Sequence, residues 1–128
     1  MAAWRPDELE RLGDAEELSL ASLRDDGTLR RPVIMWIVRD GDEIYVRSVN
    51  GRGSSWFRGA QKRHEAHIRA GGVEKDVELI ETEDANDAVD AAYRQKYGRR
   101  YPTIVPSIVA PDARAATLKL MPTEEEER

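Results

Sequence analysis

The sequence contains no cysteine, only two histidines and a single phenylalanine among its 128 residues. The absence of cysteine excludes disulfide bonds, thiolate catalysis and cysteine-ligated zinc or iron–sulfur sites, and it suits a reducing compartment. No apolar run approaches the roughly 20 residues of a membrane-spanning helix, and the charged N-terminus lacks the apolar core of a signal peptide. We therefore expect a cytoplasmic protein with no membrane partner.

The composition predicts one folded domain. Hydrophobic residues make up 40% of the chain and charged residues 35%, as in globular proteins, and this length suffices for one hydrophobic core. We predict a single domain over residues 1–122 and an acidic, disordered tail over residues 123–128, because a terminal run of like charges stays solvated. The formal charge of −5 makes nucleic acid an unlikely partner, since nucleic-acid-binding domains are usually basic.

Short segments joined by tight turns predict an antiparallel β-protein. Residues 17–23 alternate in polarity, whereas residues 31–39 are apolar at both parities, which predicts a strand buried on both faces. The Asp-Gly pair before residue 42 predicts a hairpin to a strand over residues 43–49, and no helical crossover for a parallel sheet fits before Arg52. The remaining strands are predicted over residues 67–70, 73–82 and 115–121. These six strands indicate an antiparallel barrel.

Two or three helices are expected beside the strands, which makes the fold mainly β with α (α+β). The clearest helix covers residues 85–97, whose apolar residues recur at helical spacing, with Asp84 as its N-cap. Shorter helices are predicted over residues 7–12 and 56–63, the second capped by Ser54 or Ser55. Three prolines predict an irregular connection before the last strand; they are Pro102, Pro106 and Pro111.

The stretch Val46–Arg63 concentrates five cationic side chains, three glycines and three serines, and it contains no acid. A strand that ends in a glycine-rich turn and a helix start presents free backbone N–H groups and a positive dipole to an anion. Serine hydroxyls and arginines add donors that suit a phosphate. The pattern lacks the third glycine of the dinucleotide fingerprint. A solvated basic loop is therefore an equally good interpretation of the spacing alone.

The strand predicted over residues 31–39 adds an apolar neighbour to this stretch. It carries Trp36, and the predicted hairpin places it beside the strand that leads into the basic loop. Such a site could hold a flat ring at one end and a phosphate at the other, a combination typical of cofactor sites. Taken alone, a tryptophan in such a strand is more typical of a core.

The segment RRPVIMWIVRDGDEIYVRSVNGRGSSWFRGAQKR, residues 30–63, resembles the split β-barrel proteins of the pyridoxamine-phosphate-oxidase-like superfamily. The deazaflavin-dependent nitroreductase branch is the most similar. The wider pattern, which includes HIRAGGVEKDVELIE and AAYRQKYG, resembles the bacterial family DUF2255. This resemblance implies a six-stranded antiparallel split β-barrel. It also implies a homodimer that binds FMN or a deazaflavin at the subunit interface and transfers hydride to a small organic substrate.

The same resemblance implies which residues hold the cofactor. The strand from Pro32 to Trp36 would line the ring, and the strand end and glycine-rich loop would hold the phosphate side. The implied cofactor-binding residues are Arg31, Pro32, Val33, Ile34, Trp36, Arg47, Ser48, Gly51, Ser54, Ser55, Trp56 and Arg58. No catalytic side chain is required, because the cofactor performs the chemistry.

Several alternatives stay open. A cofactor-free split barrel with a binding or structural role would account for the same fold, since fold does not determine function. A basic patch with Trp56 and Phe57 could stack nucleic-acid bases. We expect no metal site, because His64 and His67 lack the spacing of a zinc-protease helix and catalytic zinc usually needs three protein ligands. The tyrosines at 93 and 97 are expected in the core, with a substrate pocket as the alternative.

Overall fold

The structure is a computed structural model that describes residues 3–123. The strands of this range are β1 (Leu18–Ser22), β2 (Val33–Met35), β3 (Val38–Asp40), β4 (Glu43–Arg47), β5 (Glu65–Ala70), β6 (Val73–Glu81) and β7 (Thr117–Pro122). The helices are α1 (Pro6–Asp14), α2 (Ser55–Arg63), α3 (Asn86–Tyr97), α4 (Val105–Ile108) and α5 (Pro111–Arg114), with a 3-10 helix at Gly51–Gly53. The predicted α+β class is confirmed; residues 124–128 of the predicted tail lie outside the described residues.

The seven strands form one antiparallel sheet in the order β2-β1-β5-β6-β7-β4-β3. The edge strands β2 and β3 are consecutive in the chain, with only Trp36 and Ile37 between them. Three Cα–Cα steps span at most about 11 Å, so the end of β2 and the start of β3 must lie close together. The sheet therefore curls into a barrel that is split between β2 and β3.

The structure corrects the prediction of one strand over residues 31–39. This segment is divided at Trp36 and Ile37, because its two halves pair at opposite edges of the sheet, and the barrel has seven strands instead of six. Its first half is not buried on both faces: Ile34 is 58% exposed. Strand β4, in contrast, is buried on both faces, because it faces the barrel core on one side and the helices on the other.

The two sides of β4 belong to different apolar clusters. Ile44 and Val46 lie in the barrel core with residues of α1 and α2. Tyr45 lies on the opposite side in a second cluster that includes Tyr93 and Tyr97 of α3. Both tyrosines of α3 are almost completely buried, so the prediction that they are core residues is confirmed. A helix therefore covers the outer face of the barrel at β3 and β4.

The hydroxyl of Tyr97 lies at the split of the barrel. It accepts a hydrogen bond from the N–H of Ile37 at 3.1 Å and lies 3.0 Å from the Ile37 carbonyl and 2.7 Å from the Glu16 carbonyl, one of which accepts its proton. The ammonium group of Lys96 also donates to the Ile37 carbonyl at 2.7 Å. The backbone polar groups of Ile37 thus find partners on α3 instead of on a neighbouring strand.

Arg47, at the end of β4, connects the barrel to the helices. Its side chain is completely buried and forms an ion pair with Asp90 of α3. Its Nε donates to the hydroxyl of Thr117 at 2.9 Å, and one Nη also donates to the carbonyl of Ile108 at 3.1 Å. The other Nη donates to the backbone and side-chain oxygens of Asn86, both at 3.1 Å. All five N–H groups of the guanidinium therefore have protein acceptors.

Helix ends differ from prediction in two places. Helix α3 begins after Ala85 with no side-chain cap, so the predicted cap at Asp84 is wrong. The connection before β7 holds α4 and α5, each with proline in its first turn, where a missing N–H costs no intrahelical bond. The described residues thus contain five α-helices, more than the two or three predicted. None of these helices is long and apolar enough to span a membrane.

His67 joins β5 to β6 through two ionic hydrogen bonds. Its Nδ1 lies 2.8 Å from a carboxylate oxygen of Asp76, which is directly opposite on β6, and its Nε2 lies 2.7 Å from one of Glu74. Hydrogen bonds to these two carboxylates raise the pKa of His67 above its ordinary value of 6.5. The folded state therefore holds the imidazole proton more tightly than the unfolded chain does.

We expect Arg47→Met to lower the free energy of unfolding by about 3–5 kcal/mol, because it leaves Asp90 as a buried, partly uncompensated charge. Urea denaturation measures this loss. The matched control is Arg52→Met, which removes the exposed ion pair with Glu81 (2.9 Å) and should cost about 1 kcal/mol or less. Equal losses in the two variants would contradict the assigned scaffold role of Arg47.

We expect the stabilisation by His67 to depend on pH. Because its pKa is higher in the folded state than about 6.5, its contribution is fully present below that pH and is lost as pH rises through the folded-state pKa. Wild type should exceed His67→Gln in unfolding free energy by more at pH 6 than at pH 9, with a difference below about 1 kcal/mol since the side chain is partly exposed. Urea titrations at both pH values test this.

In the double variant Glu74→Gln/Asp76→Asn, the loss of unfolding free energy caused by His67→Gln should no longer depend on pH. Both carboxylates that raise the pKa of His67 are absent from this variant. A pH-dependent loss that survives in this double variant would show that another group causes it.

Candidate functional site

A cavity of about 380 Å³ lies beside β2, between the turn after β4, the start of α2 and α4. Five predicted site residues form part of its wall: Val33, Ile34, Trp36, Arg47 and Trp56. Met35, within the strand predicted to line the ring, also belongs to the wall, and the structure adds five residues that the sequence interpretation missed: Val49, Asn50, Ile104, Ser107 and Ile108. Most of these side chains are apolar, and the volume lies within the usual range for small-molecule sites.

Helix α4 contributes to this wall although its segment was predicted as an irregular connection. Ile104 and Ile108 are four residues apart, which places them on one helical face, and this spacing is the signal that could have identified them. Ile104 is 49% exposed, and Ile34 and Val49 of the same wall are also exposed. These three residues form an apolar rim around the cavity.

The indole of Trp36 has a defined orientation at this cavity. Its ring stacks on the ring of Tyr97 with centroids 4.1 Å apart and an interplanar angle of 4°, and Tyr101 lies at 5.2 Å. Trp36 is half-buried, so it packs on the helical cluster and still forms part of the cavity wall. The two interpretations of Trp36, core residue and ring contact, are therefore compatible.

The predicted role of Arg47 as a phosphate ligand requires correction. Its side chain is completely buried, and its five N–H groups already donate to Asp90, Ile108, Asn86 and Thr117. A phosphate would have to displace these acceptors. Arg47 thus backs the cavity and holds the helices in place.

Three other predicted residues shape the turn before α2. The hydroxyl oxygens of Ser48 and Ser54 lie 2.8 Å apart and share a hydrogen bond. Ser54 is the N-cap residue of α2, one of the two serines predicted for this position, but its side chain does not cap the helix. Gly51 has a φ of +80°, and its N–H donates to the Ser48 carbonyl at 2.9 Å. This left-handed conformation favours glycine. These residues line neither the apolar cavity nor the basic cavity described next; they orient the helix.

A second cavity, of about 240 Å³, is basic. Its lining consists of Arg30, Ser55, Arg58, Gly59 and Lys62, without a carboxylate. Arg58 forms no ion pair with a described residue, and the closest carboxylate oxygen to Lys62, on exposed Asp25, is 4.0 Å from its amine. Ser55 and Arg58 were predicted for the phosphate side, whereas Arg30, Gly59 and Lys62 were missed.

Two buried polar atoms at this basic cavity lack hydrogen-bond partners within the described part of the chain. They are the Nε of Arg30 and the hydroxyl of Ser22. Both atoms face Gly59 of α2: a Cβ at this position would lie 2.7 Å from Arg30 Nε and 3.2 Å from Ser22 Oγ. Buried polar groups normally have partners. The guanidinium groups of Arg30 and Arg58, which line this cavity, donate to no acceptor among the described residues, so the cavity presents unused donors to an anion.

The chain between the cavities holds Arg31 and Pro32. Both are exposed, and they connect Arg30 of the basic cavity to Val33 of the apolar cavity. Ser55 and Trp56 make the same connection from α2. The two cavities are therefore neighbours that share both of these chain segments.

The remaining cations of the basic stretch have other partners. Arg52 pairs with Glu81, and Arg63 pairs with Glu65 at 3.6 Å. Phe57 is completely buried and cannot stack on a base, so the predicted base-stacking patch loses a member. The histidines line neither cavity, and residues 3–123 contain no group of three side chains suited to a metal ion.

Comparison with solved structures gives the same fold. The heme storage protein HutZ from Vibrio cholerae matches with a TM-score of 0.60 at 16% identity, over 98% of this chain and 93% of that one. An F420 reductase matches with a TM-score of 0.54 at 18% identity, over 94% and 97%. A FAD and heme binding protein from Mycobacterium smegmatis matches with a TM-score of 0.50 at 18% identity, over 94% and 66%. These likenesses confirm the split β-barrel fold.

The family assignment comes from the sequence. No curated protein matches the chain, but residues 8–120 match the family described as "Uncharacterized protein conserved in bacteria (DUF2255)". The match includes both cavities and all strands and helices except the start of α1 and the last two residues of β7. The chain therefore belongs to the DUF2255 family, and its fold is that of the split β-barrel proteins.

Proposed function

We propose that the protein binds a phosphorylated flavin or deazaflavin, FMN or the deazaflavin cofactor, between two copies of the chain. The observation that carries the proposal is the pair of neighbouring cavities, one apolar with two indoles in its wall and one basic with unused donors. A planar heteroaromatic ring suits the first, and a phosphate suits the second. We further propose that the complex transfers hydride to a small organic substrate.

The apolar wall determines how the ring is held. Trp36 and Trp56 offer flat apolar contact, and the stacking of Trp36 on Tyr97 fixes its angle before a ligand arrives. Asn50 and Ser107 provide polar groups for the edge of the ring. Preorganised contacts of this kind reduce the conformational entropy that is lost when the ligand binds.

The basic cavity determines how the phosphate is held. Arg30 and Arg58 can donate two parallel hydrogen bonds each, and Ser55 adds a hydroxyl at the first position of α2. The start of this nine-residue helix also carries the positive end of its dipole. This assignment replaces Arg47 with Arg30 among the proposed ligands.

When bound, such a cofactor supplies the hydride chemistry itself. The chain contributes binding, orientation and exclusion of water. No side chain of the apolar wall is a histidine, an aspartate or a glutamate, so the wall supplies no general base. Proton exchange with a substrate would then involve solvent or the substrate's own groups.

The side chains in the cavity wall also distinguish between a flavin and heme as the ligand. Heme is considered because the descriptions of two structural neighbours name it. Heme iron usually needs an axial imidazole, thiolate, thioether or phenolate. The apolar wall contains no histidine, and His67 is bonded to Asp76 and Glu74 elsewhere. Met35 is the one candidate ligand in this wall, so the residues suit an uncharged flat ring better.

We expect FMN to quench the tryptophan fluorescence of the purified protein with saturable, micromolar affinity. The double variant Arg30→Ala/Arg58→Ala should bind FMN about ten- to hundred-fold more weakly, because charge-assisted hydrogen bonds contribute about 1.5–3 kcal/mol. Its affinity for riboflavin, which lacks the phosphate, should not change. Titrations with FMN, riboflavin and the deazaflavin cofactor measure these affinities.

The control for this experiment is Arg99→Ala, which removes an exposed arginine outside both cavities. Equal loss of FMN and riboflavin binding in the double variant would refute the phosphate assignment. Failure of wild type to bind FMN or the deazaflavin would instead support the alternative, a cofactor-free barrel with a binding or structural role.

We expect a homodimer that covers the apolar rim. Ile34, Val49 and Ile104 are 58%, 46% and 49% exposed around one cavity, and contiguous apolar surface of this kind marks an interaction site. Ile34→Glu/Ile104→Glu should shift the protein from dimer to monomer in sedimentation velocity and weaken FMN binding. Ile80→Glu, at an exposed apolar position on β6, should leave the dimer intact. A monomeric wild type would disprove the dimer.

A further inference from the structure

Lys96 differs from the other three lysines of the chain. The amines of Lys62, Lys75 and Lys119 each lie within 4.0 Å of a carboxylate oxygen, whereas the amine of Lys96 has no described carboxylate within that distance. Its Nζ donates to the Ile37 carbonyl at 2.7 Å and lies 5.2 Å from the centre of the Tyr97 ring. The side chain is half-buried, so its amine is desolvated without an ion pair.

Lys96 lines two cavities on the α1 side of the molecule, and neither of them shares a lining residue with the proposed cofactor site. The larger one, of about 490 Å³, is bounded by α1, β3 and α3, and the smaller one, of about 120 Å³, reaches Tyr101. Asp14 and Lys96 line both cavities. A small molecule in the larger cavity would therefore contact the Lys96 side chain.

The charges around this amine have a definite arrangement. Glu10, Asp14 and Arg39 face the larger cavity, and Glu16 and Arg100 face the smaller one, where they pair with each other at 2.7 Å. Burial lowers the pKa of Lys96 to about 8, against the opposing effect of Asp14 and Glu16. With this pKa, about half of the amine is neutral at pH 8 and about a tenth at pH 7, and a neutral amine is a nucleophile.

Arg39 provides a second contact in the larger cavity. Its Nε donates to the Gly41 carbonyl at 2.6 Å, and its guanidinium forms no ion pair within residues 3–123. Gly13 lies against its side chain: a Cβ there would be 3.2 Å from Arg39 Cδ. The two terminal nitrogens of Arg39 are therefore available to a carboxylate, which a planar guanidinium binds well.

We propose that Lys96 is a covalent acceptor site for small aldehydes that carry a carboxylate. The Nζ lone pair attacks the carbonyl carbon, the carbonyl oxygen leaves as water after it has gained two protons, and a C=N bond forms, so the condensation needs no oxidant or reductant. Arg39 holds the carboxylate of the aldehyde while Lys96 reacts. This inference is independent of the proposed cofactor, because it uses a different face of the protein.

The test is reductive trapping of the wild-type protein with glyoxylate and cyanoborohydride, followed by peptide mapping of each lysine. At pH 8 we expect Lys96 to be labelled at least about ten-fold faster than Lys62 and Lys119, whose amines each lie 4.0 Å from a carboxylate oxygen. The rate at Lys96 should rise between pH 7 and about pH 8, as the amine loses its proton, and should not rise further above that pH.

Variants test the contribution of each side chain. Lys96→Arg should abolish the fast reaction, whereas Lys62→Arg should leave it unchanged. Arg39→Gln should slow the reaction of Lys96 with glyoxylate several-fold but not with acetaldehyde, which lacks the carboxylate; equal effects on both would refute the role of Arg39. Labelling of Lys96 in wild type no faster than that of Lys62 and Lys119 across pH 7–9 would overturn the proposal, whatever the variants do.

Discussion

The hydrogen bonds between the Tyr97 hydroxyl and the backbone of Ile37 are the constraint on which the rest of the structure depends. A sheet whose two edges meet without pairing leaves backbone groups that need partners. Helix α3 supplies these partners at the split of the barrel. Burial raises the pKa of Tyr97 to about 12, so the hydroxyl keeps its proton at neutral pH and can both donate and accept. The position of α3 is thereby tied to the point where the barrel divides.

Two further features follow from this placement of α3. The ring of Tyr97 becomes the platform on which Trp36 stacks, and so closure of the barrel also orients one wall of the proposed cofactor cavity. Asp90, on the same helix, meets Arg47 at the end of β4. That buried ion pair is stabilised by four additional hydrogen bonds to Thr117, Ile108 and Asn86, which compensate the desolvation of the guanidinium. Scaffold and site therefore share one helix, which also carries Lys96.

Cations of this acidic protein have three different roles. Arg47 is a buried scaffold, Arg52 and Arg63 form surface ion pairs, and Arg30 and Arg58 face a cavity that no carboxylate lines. Arg30 and Arg58 matter for binding, because a cation without a partner inside the protein can offer its charge and its hydrogen-bond donors to a ligand. Gly59 makes room for this arrangement: alanine is more favourable in a helix by about 1 kcal/mol, but its methyl group would meet Arg30.

The sequence by itself determined the features that depend on neighbouring residues. The hairpin at Gly41, the Gly71–Gly72 turn with both φ angles positive, and the apolar face of α3 follow from local conformational preference and periodicity. The resemblance of residues 30–63 to split barrels likewise anticipated the fold. Four of the cofactor-binding residues that it implied line one cavity: Val33, Ile34, Trp36 and Trp56. Only the tertiary structure decided that residues 31–39 divide between two edges, that Arg47 is buried and that Arg30 is left with an unused donor. The physical reason is distance along the chain: Asp90 is 43 residues from Arg47 and Tyr97 is 60 from Ile37, so no local pattern records which charge is neutralised inside the protein and which remains for a ligand.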